Sequence, residues 1–130
     1  MTITYAVSPP VTNEALNALF AASWDNHIPT DFTPILSRSL LYVCAYDGGE
    51  LVGYVNVAWD GGIHAFLLDT TVHPGWWRGG IGGELVRRAA EAAQGRGMVW
   101  LHVDYEPHLE GFYRECGFSP SAAGLMRLQT

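Results

Sequence analysis

Charge is scarce in this chain of 130 residues: Asp, Glu, Lys and Arg together make up 15% of it, against 48% apolar residues. Such a composition folds around a core rather than staying disordered. The length suffices for one domain, residues 1–130, without help from metals or disulfides. Basic residues are scarcer still. Seven Lys and Arg against thirteen Asp and Glu leave a net charge of −6. This excludes a general nucleic-acid binder, which needs clustered cations to displace phosphate counterions. It suits a cationic ligand, and equally plain solubility. Cysteine is limited to Cys44 and Cys116, with no C-x-x-C pair, so neither a zinc site nor a disulfide framework is indicated. A reduced compartment fits. No apolar run approaches the roughly 20 residues that cross a bilayer. The opening stretch MTITYAVSPP lacks the charged and apolar regions of a signal peptide. The expectation is a cytoplasmic protein without a membrane partner.

What is present reads as alternating elements. Ile3 to Val7 is a short strand stopped by Pro9-Pro10. A helix starts at Thr12 or Asn13 as cap, with Leu16, Leu19 and Phe20 on one face. Thr33-Pro34 opens a second, short helix. Leu40 to Tyr46 and Leu51 to Trp59 flank Asp47-Gly48-Gly49-Glu50 as a hairpin, and Ile63 to Val72 adds a third strand to this meander before Pro74 ends it. Ile81 to Gln94 is the clearest helix, striped by Ile81, Leu85 and Ala89. Glu84 and Arg88 pair at i,i+4 and Gly95 is the stop. Met98 to Val103 is a strand, Pro107 to Cys116 a helix capped by Glu106, and Gly124 to Gln129 a closing strand. The fold class is therefore α/β: a mixed, mostly antiparallel central sheet with flanking helices.

Gly79, Gly80, Gly82 and Gly83 stand between a strand and a helix. Glycine costs backbone entropy, so its clustering at a helix start implies that a ligand approaches the main chain closely. Such a start offers unpaired N–H groups and a dipole that favours negative charge, which together make a phosphate site. A loop that needs glycine only for turning is the plainer alternative. The dinucleotide fingerprint fails because Leu85 stands where its last glycine belongs, and the nucleotide P-loop fails for want of G-K-[ST].

Val72-His73-Pro74 followed by Arg78-Gly79-Gly80-Ile81-Gly82 resembles the acyl-CoA-binding signature of the GNAT superfamily of N-acetyltransferases, [QR]-x-x-G-x-[GA]. Leu109 to Phe118, LEGFYRECGF, resembles that family's helix ending in Tyr-x-x-x-Gly-Phe. With the order of elements, the likeness runs from the first strand to the last. Trp77 departs from the Gln or Arg usual at its position, and Gly79 stands where a basic residue is common.

The resemblance implies an acetyl-CoA-dependent N-acetyltransferase, in which a primary amine of a small molecule or peptide attacks the thioester directly. Cofactor contacts would come from the backbone of Thr70, Thr71 and Val72, paired with the pantetheine arm as an added strand. Those for the pyrophosphate would come from the N–H groups of Arg78, Gly79, Gly80, Ile81, Gly82 and Gly83, with Trp76 or Trp77 against part of the cofactor or, equally, the tryptophan pair packed on the surface. Tyr113 matches the general acid that protonates the departing thiolate; by spacing alone it is also a core residue beside Leu109, Phe112 and Cys116. The base is His102 or Asp69, both polar residues in apolar runs that would equally serve as hydrogen-bonded structural groups. Asp104, Glu106 and His108 offer a further proton relay. His64, His102 and His108 fall on different elements without ligand spacing, so no metal is expected. Trp24 to Thr33 and the short loop Ser119 to Gly124 would shape an open acceptor pocket. A non-catalytic acyl-CoA-binding module is the alternative, and exposed strand edges leave a homodimer open.

Overall fold

The computed structural model describes residues 2–129. Its centre is a five-stranded sheet in the order β1-β2-β3-β4-β5, formed by Ile3–Val7, Leu41–Asp47, Glu50–Trp59, His64–Val72 and Trp100–His102. The first four strands run antiparallel to their neighbours, and only β4 and β5 are parallel. The reading of a mixed, mostly antiparallel sheet holds. The parallel pair needs a crossover, which α3 (Ile81–Gly95) supplies.

Two cores lie on opposite faces of the sheet. On one face α3 places Ile81, Leu85, Val86, Ala89 and Ala93 against Val43, Val52, Val55, Val57, Ala65 and Leu67. The 3.6-residue stripe read from the sequence is the stripe that is buried, each large side chain contributing about 1.5–3 kcal/mol. Gly53 allows this close approach. A Cβ there would stand 3.0 Å from both Ile81 Cγ2 and Leu85 Cδ1, so even alanine would push the helix away. On the other face α1 (Asn13–Ser23) and α2 (Thr33–Arg38) enclose Leu16, Leu19, Phe20, Phe32, Cys44, Leu51 and Tyr54. Thr12 caps α1 as expected, its side chain accepting from the Ala15 N–H at 3.1 Å.

Several expectations need correction. Between Pro74 and Gly79 the chain winds into a 3₁₀ turn instead of a plain loop. Phe32, and not Thr33, is the cap residue of α2; Thr33 lies inside the helix and donates its N–H to Asp31. Helix α3 continues through Gly95 and is closed by Arg96, and the left-handed residue beyond it is Gly97, at φ 89°. The stretch expected as one helix from Pro107 divides into a 3₁₀ turn, Pro107–Leu109, and α4, Glu110–Glu115. Glu106 precedes that turn without a side-chain cap bond. Residues 124–129 form no strand and are exposed. A strand requires a partner edge, and β-propensity alone does not provide one.

Candidate active site

The site grows from two interruptions of the sheet. The first is a bulge. Tyr54 pairs with Thr71 and Asn56 with Leu68, so Asp69 and Thr70 together oppose Val55. Asp69 takes a φ of 58°, in the left-handed region that a non-glycine residue occupies only when its surroundings impose it. The second is a divergence. β4 and β5 pair only through His64, Ala65 and Phe66 opposite Trp100, Leu101 and His102. Beyond Phe66 the edge of β4 has no strand beside it. The His73 N–H donates to Val52 O at 2.8 Å, so antiparallel alternation turns the N–H and C=O of Val72 away from β3 and toward that open edge.

The end of β4 leads directly into the glycine segment. Gly80 caps α3 at φ 72°, a conformation that favours glycine. The first intrahelical bond is from the Glu84 N–H to Gly80 O, at 3.2 Å, so the N–H groups of Ile81, Gly82 and Gly83 precede the ladder. Gly82 faces the Phe112 ring, which a Cβ would meet at 3.5 Å, while a Cβ on Gly83 would stand in open space. Unpaired N–H groups at such a helix start suit an anion, and these lie at the foot of the open edge.

Trp77 stands at the end of the open edge. Its indole N–H donates to Val72 O at 2.7 Å; Ser23 Oγ lies 3.4 Å from the same carbonyl, but its one proton has a closer acceptor in Leu19 O at 2.7 Å.

Tyr113 is buried on the α3 side of the sheet, with Tyr105 stacked on it at 4.9 Å and Phe112 and Phe118 meeting its ring edge-on. Burial raises its pKa above the ordinary 10, opposed in part by a hydrogen bond with the Thr70 side chain. The phenol therefore reaches the bulge, and the core and acid readings of Tyr113 describe the same packing. Asp104 adds a smaller upward push through its charge.

Asp69 belongs to the other face. Although it keeps solvent-exposed surface, partial desolvation raises its carboxyl pKa above 3.8. Its charge also helps raise the pKa of Tyr54, in the core under α1 and α2. Thr71 Oγ donates to Asp69 O at 2.8 Å, and the Trp24 indole N–H donates to Thr71 Oγ at 3.3 Å. The loop after α1 is thus tied to the strand beside the bulge.

His102 is held elsewhere. Its Nε2 lies 2.8 Å from His64 Nδ1, so one nitrogen donates and the other accepts, and its ring stacks on Phe66 at 4.7 Å. The structure therefore joins Asp69, Thr70 and Tyr113 around the bulge and leaves His102 one register step back, paired with a histidine. His64 as a partner of His102 was not readable from spacing, because the parallel register is set by the length of α3 and its loops.

A carboxylate and a phenol beside a bulged, open strand edge, with the start of α3 below it, are an arrangement that can serve acyl transfer. The sequence pattern of the acetyltransferase (GNAT) family matches residues 11–118, and the chain belongs to that family. Its sequence is 32% identical over 114 residues to glucosamine 6-phosphate N-acetyltransferase 1 of Oryza sativa subsp. japonica, a match covering 85% of this chain and 66% of that protein. The chain thus spans just under two thirds of that relative's length. Among solved structures it is similar to a GNAT-family acetyltransferase from Streptococcus pneumoniae, with 27% identity, a TM-score of 0.80 and 98% of each chain covered. The glucosamine-6-phosphate N-acetyltransferase of Arabidopsis thaliana shares the fold, with a TM-score of 0.74 at 10% identity over 95% of this chain and 97% of the other. Among the described residues no helix is long and apolar enough to cross a membrane.

Proposed function

We propose that the protein is an acetyl-CoA-dependent N-acetyltransferase in which a primary amine attacks the thioester directly. The observation that carries this reading is the open edge of β4 running from the Asp69 bulge into the unladdered N–H groups of Ile81, Gly82 and Gly83. The pantetheine arm adds along Thr70 to Val72 as a short strand, and the pyrophosphate meets the start of α3. The Trp77 indole, which donates to Val72 O at 2.7 Å, shares or competes for the carbonyl that a pantetheine amide would meet.

Within this reading Tyr113 is the general acid. Its raised pKa keeps the phenol protonated at neutral pH, ready to give its proton to the thiolate leaving group. Asp69 is the base, because it stands at the bulge on the acceptor side and its desolvated carboxylate holds a proton more tightly than an ordinary aspartate. His102 is the lesser candidate, one ring nitrogen being occupied by His64. The amine arrives from the face of α1 and α2, past Trp24. Small-molecule amines are the class favoured by the named activity of the rice relative.

The test is release of coenzyme A thiol from acetyl-CoA in the presence of a panel of primary amines. Amine-dependent release supports the enzyme. Tight coenzyme A binding without release under any amine supports the non-catalytic module instead.

A further inference from the structure

The side chain of Thr71 is enclosed by the fold, whereas the sequence marked only its backbone. It is 2% exposed and stands opposite Tyr54 of β3. Its hydroxyl sits between two groups. The Trp24 indole N–H donates to Thr71 Oγ at 3.3 Å, and Thr71 Oγ donates to Asp69 O at 2.8 Å. The order of these bonds is forced. An indole N–H donates and cannot accept, so the one proton of Thr71 cannot turn to Trp24 and goes to Asp69 O.

Asp69 O is the carbonyl of the residue that makes the bulge. Asp69 and Thr70 together oppose Val55, and Asp69 stands at φ 58°. A non-glycine residue keeps such a conformation only when its surroundings over-determine it. The Thr71 hydroxyl closes the two bulged residues into a ring, and the stiffness of a β-branched side chain holds the donor in one direction. On the α3 face the Thr70 side chain bonds with Tyr113, so the bulge is held from both sides of the sheet.

Trp24 is fixed in turn. It closes α1, its own N–H donating to Phe20 O at 2.8 Å, and it opens the loop to α2. Two asparagines one turn apart on α1 pin that loop. Asn17 Oδ1 accepts from the Thr30 N–H at 2.8 Å and from His27 Nε2 at 2.7 Å, and Asn17 Nδ2 donates to Thr30 O at 2.8 Å. Asn13 Oδ1 accepts from the Phe32 N–H at 2.8 Å, and Asn13 Nδ2 donates to Asp31 Oδ1 at 2.9 Å. A bonded path therefore runs from the loop, through the Trp24 indole and the Thr71 hydroxyl, to the backbone of Asp69.

We propose that Thr71 is a positioning residue: its hydroxyl holds the bulge in the form that aims the Asp69 carboxyl, and the Trp24 indole makes that hold depend on the loop between α1 and α2. This rests on the N-acetyltransferase reading with Asp69 as base, and couples that base to the acceptor side. When the loop leaves α1 the indole leaves Thr71, the hydroxyl turns freely, and Asp69 loses its alignment with the amine.

The experiment follows coenzyme A release from acetyl-CoA with ethanolamine, 2-phenylethylamine and glucosamine 6-phosphate as probes. Thr71→Val keeps the shape and removes the hydroxyl. It should lower kcat by about ten- to a hundredfold, the range that a small misplacement costs, with KM for acetyl-CoA little changed. Thr71→Ser restores the donor and should recover most of kcat. Trp24→Phe, at a half-exposed position, should lower kcat in the same direction by a smaller factor. In each variant coenzyme A should still raise the melting temperature, as a check on folding. A readout independent of turnover is the Asp69 carboxyl titration by carbon NMR. Burial alone raises that pKa, so a carboxyl released to water in Thr71→Val should titrate lower, while Thr71→Ser keeps the wild-type value. An Asp69 titration that Thr71→Val leaves in place, an unchanged kcat in that variant, or a loss that Thr71→Ser does not recover overturns the assignment. Absence of thiol release by the wild type with every amine, together with absence of coenzyme A binding, defeats the underlying enzyme reading instead, and the Asp69 titration then still decides whether Thr71 holds the bulge.

Discussion

At residue scale, Tyr113 and Asp69 are shifted in the same direction by the same cause, desolvation, and for opposite purposes. A phenol raised above 10 remains an acid at any physiological pH. Tyr113→Phe should keep the ring packing with Tyr105 and Phe118 and so the fold, yet lower kcat by about 10²–10⁴-fold, the usual worth of a general acid. Steady-state turnover beside coenzyme A titration checks both halves. For Asp69 the linkage sign is explicit. Its folded pKa lies above the unfolded value of about 3.9, so ionisation disfavours the folded state and its cost grows as pH rises through that interval. Asp69→Asn should therefore match or exceed the wild type in stability at pH 7 while losing most activity. The acid limb of the wild-type rate profile should fall above 3.8. Chemical denaturation and pH-rate profiles separate the two effects, and a destabilised Asp69→Asn protein would contradict this assignment.

Trp77 belongs to the same scale. Its N–H donates to Val72 O, the carbonyl that the proposed pantetheine arm would meet, and a typical hydrogen bond contributes about 0.5–1.5 kcal/mol. If the indole competes for that carbonyl, Trp77→Phe should bind coenzyme A up to about tenfold more tightly. Weaker binding in a calorimetric titration would mean that the indole contacts the cofactor, as its place in the signature first suggested.

At the scale of elements, α3 was legible because one stripe, Ile81, Leu85 and Ala89, serves both as pattern and as packing surface. The Glu84–Arg88 pair was legible for the same reason, and it forms at 2.7 Å. Arg87 joins it, and together the two arginines hold Glu84 down to about 2. The carboxylate stays in contact with solvent, so this pairing is a small stabilising contribution, present above the ordinary 4.5 and lost as pH falls toward 2. Gly53→Ala should cost about 1–3 kcal/mol, because two side chains of α3 already stand at 3.0 Å from the added methyl, and equilibrium denaturation measures it. The bulge at Asp69 and the pairing of His64 with His102 were not legible. The first depends on a register slip against β3 and the second on a parallel register set by a crossover, and both are tertiary facts without a local signature. Leu125, Met126 and Leu128 read as a strand because propensity was counted without an edge to pair with.

At the scale of the whole molecule, the two cores divide the labour. The α3 core holds the helix start and Tyr113, on the side proposed for the acyl donor. The core under α1 and α2 holds Tyr54, whose ionisation feels the Asp69 charge, and lies on the side proposed for the acceptor, where Trp24 bonds to Thr71. The edge of β4 is the seam between them. The motif that first drew attention, glycines opening a helix, locates only the donor half, whereas the acceptor half emerges from sheet faces. That central claim, an edge and a helix terminus made for acetyl-CoA, is tested most directly by isothermal titration of the protein with acetyl-CoA, paired with thermal unfolding. Saturable one-to-one binding should appear, with about 2.7 kcal/mol of added stability when free ligand reaches a hundred times Kd. No heat and no shift in melting temperature at millimolar ligand would contradict it.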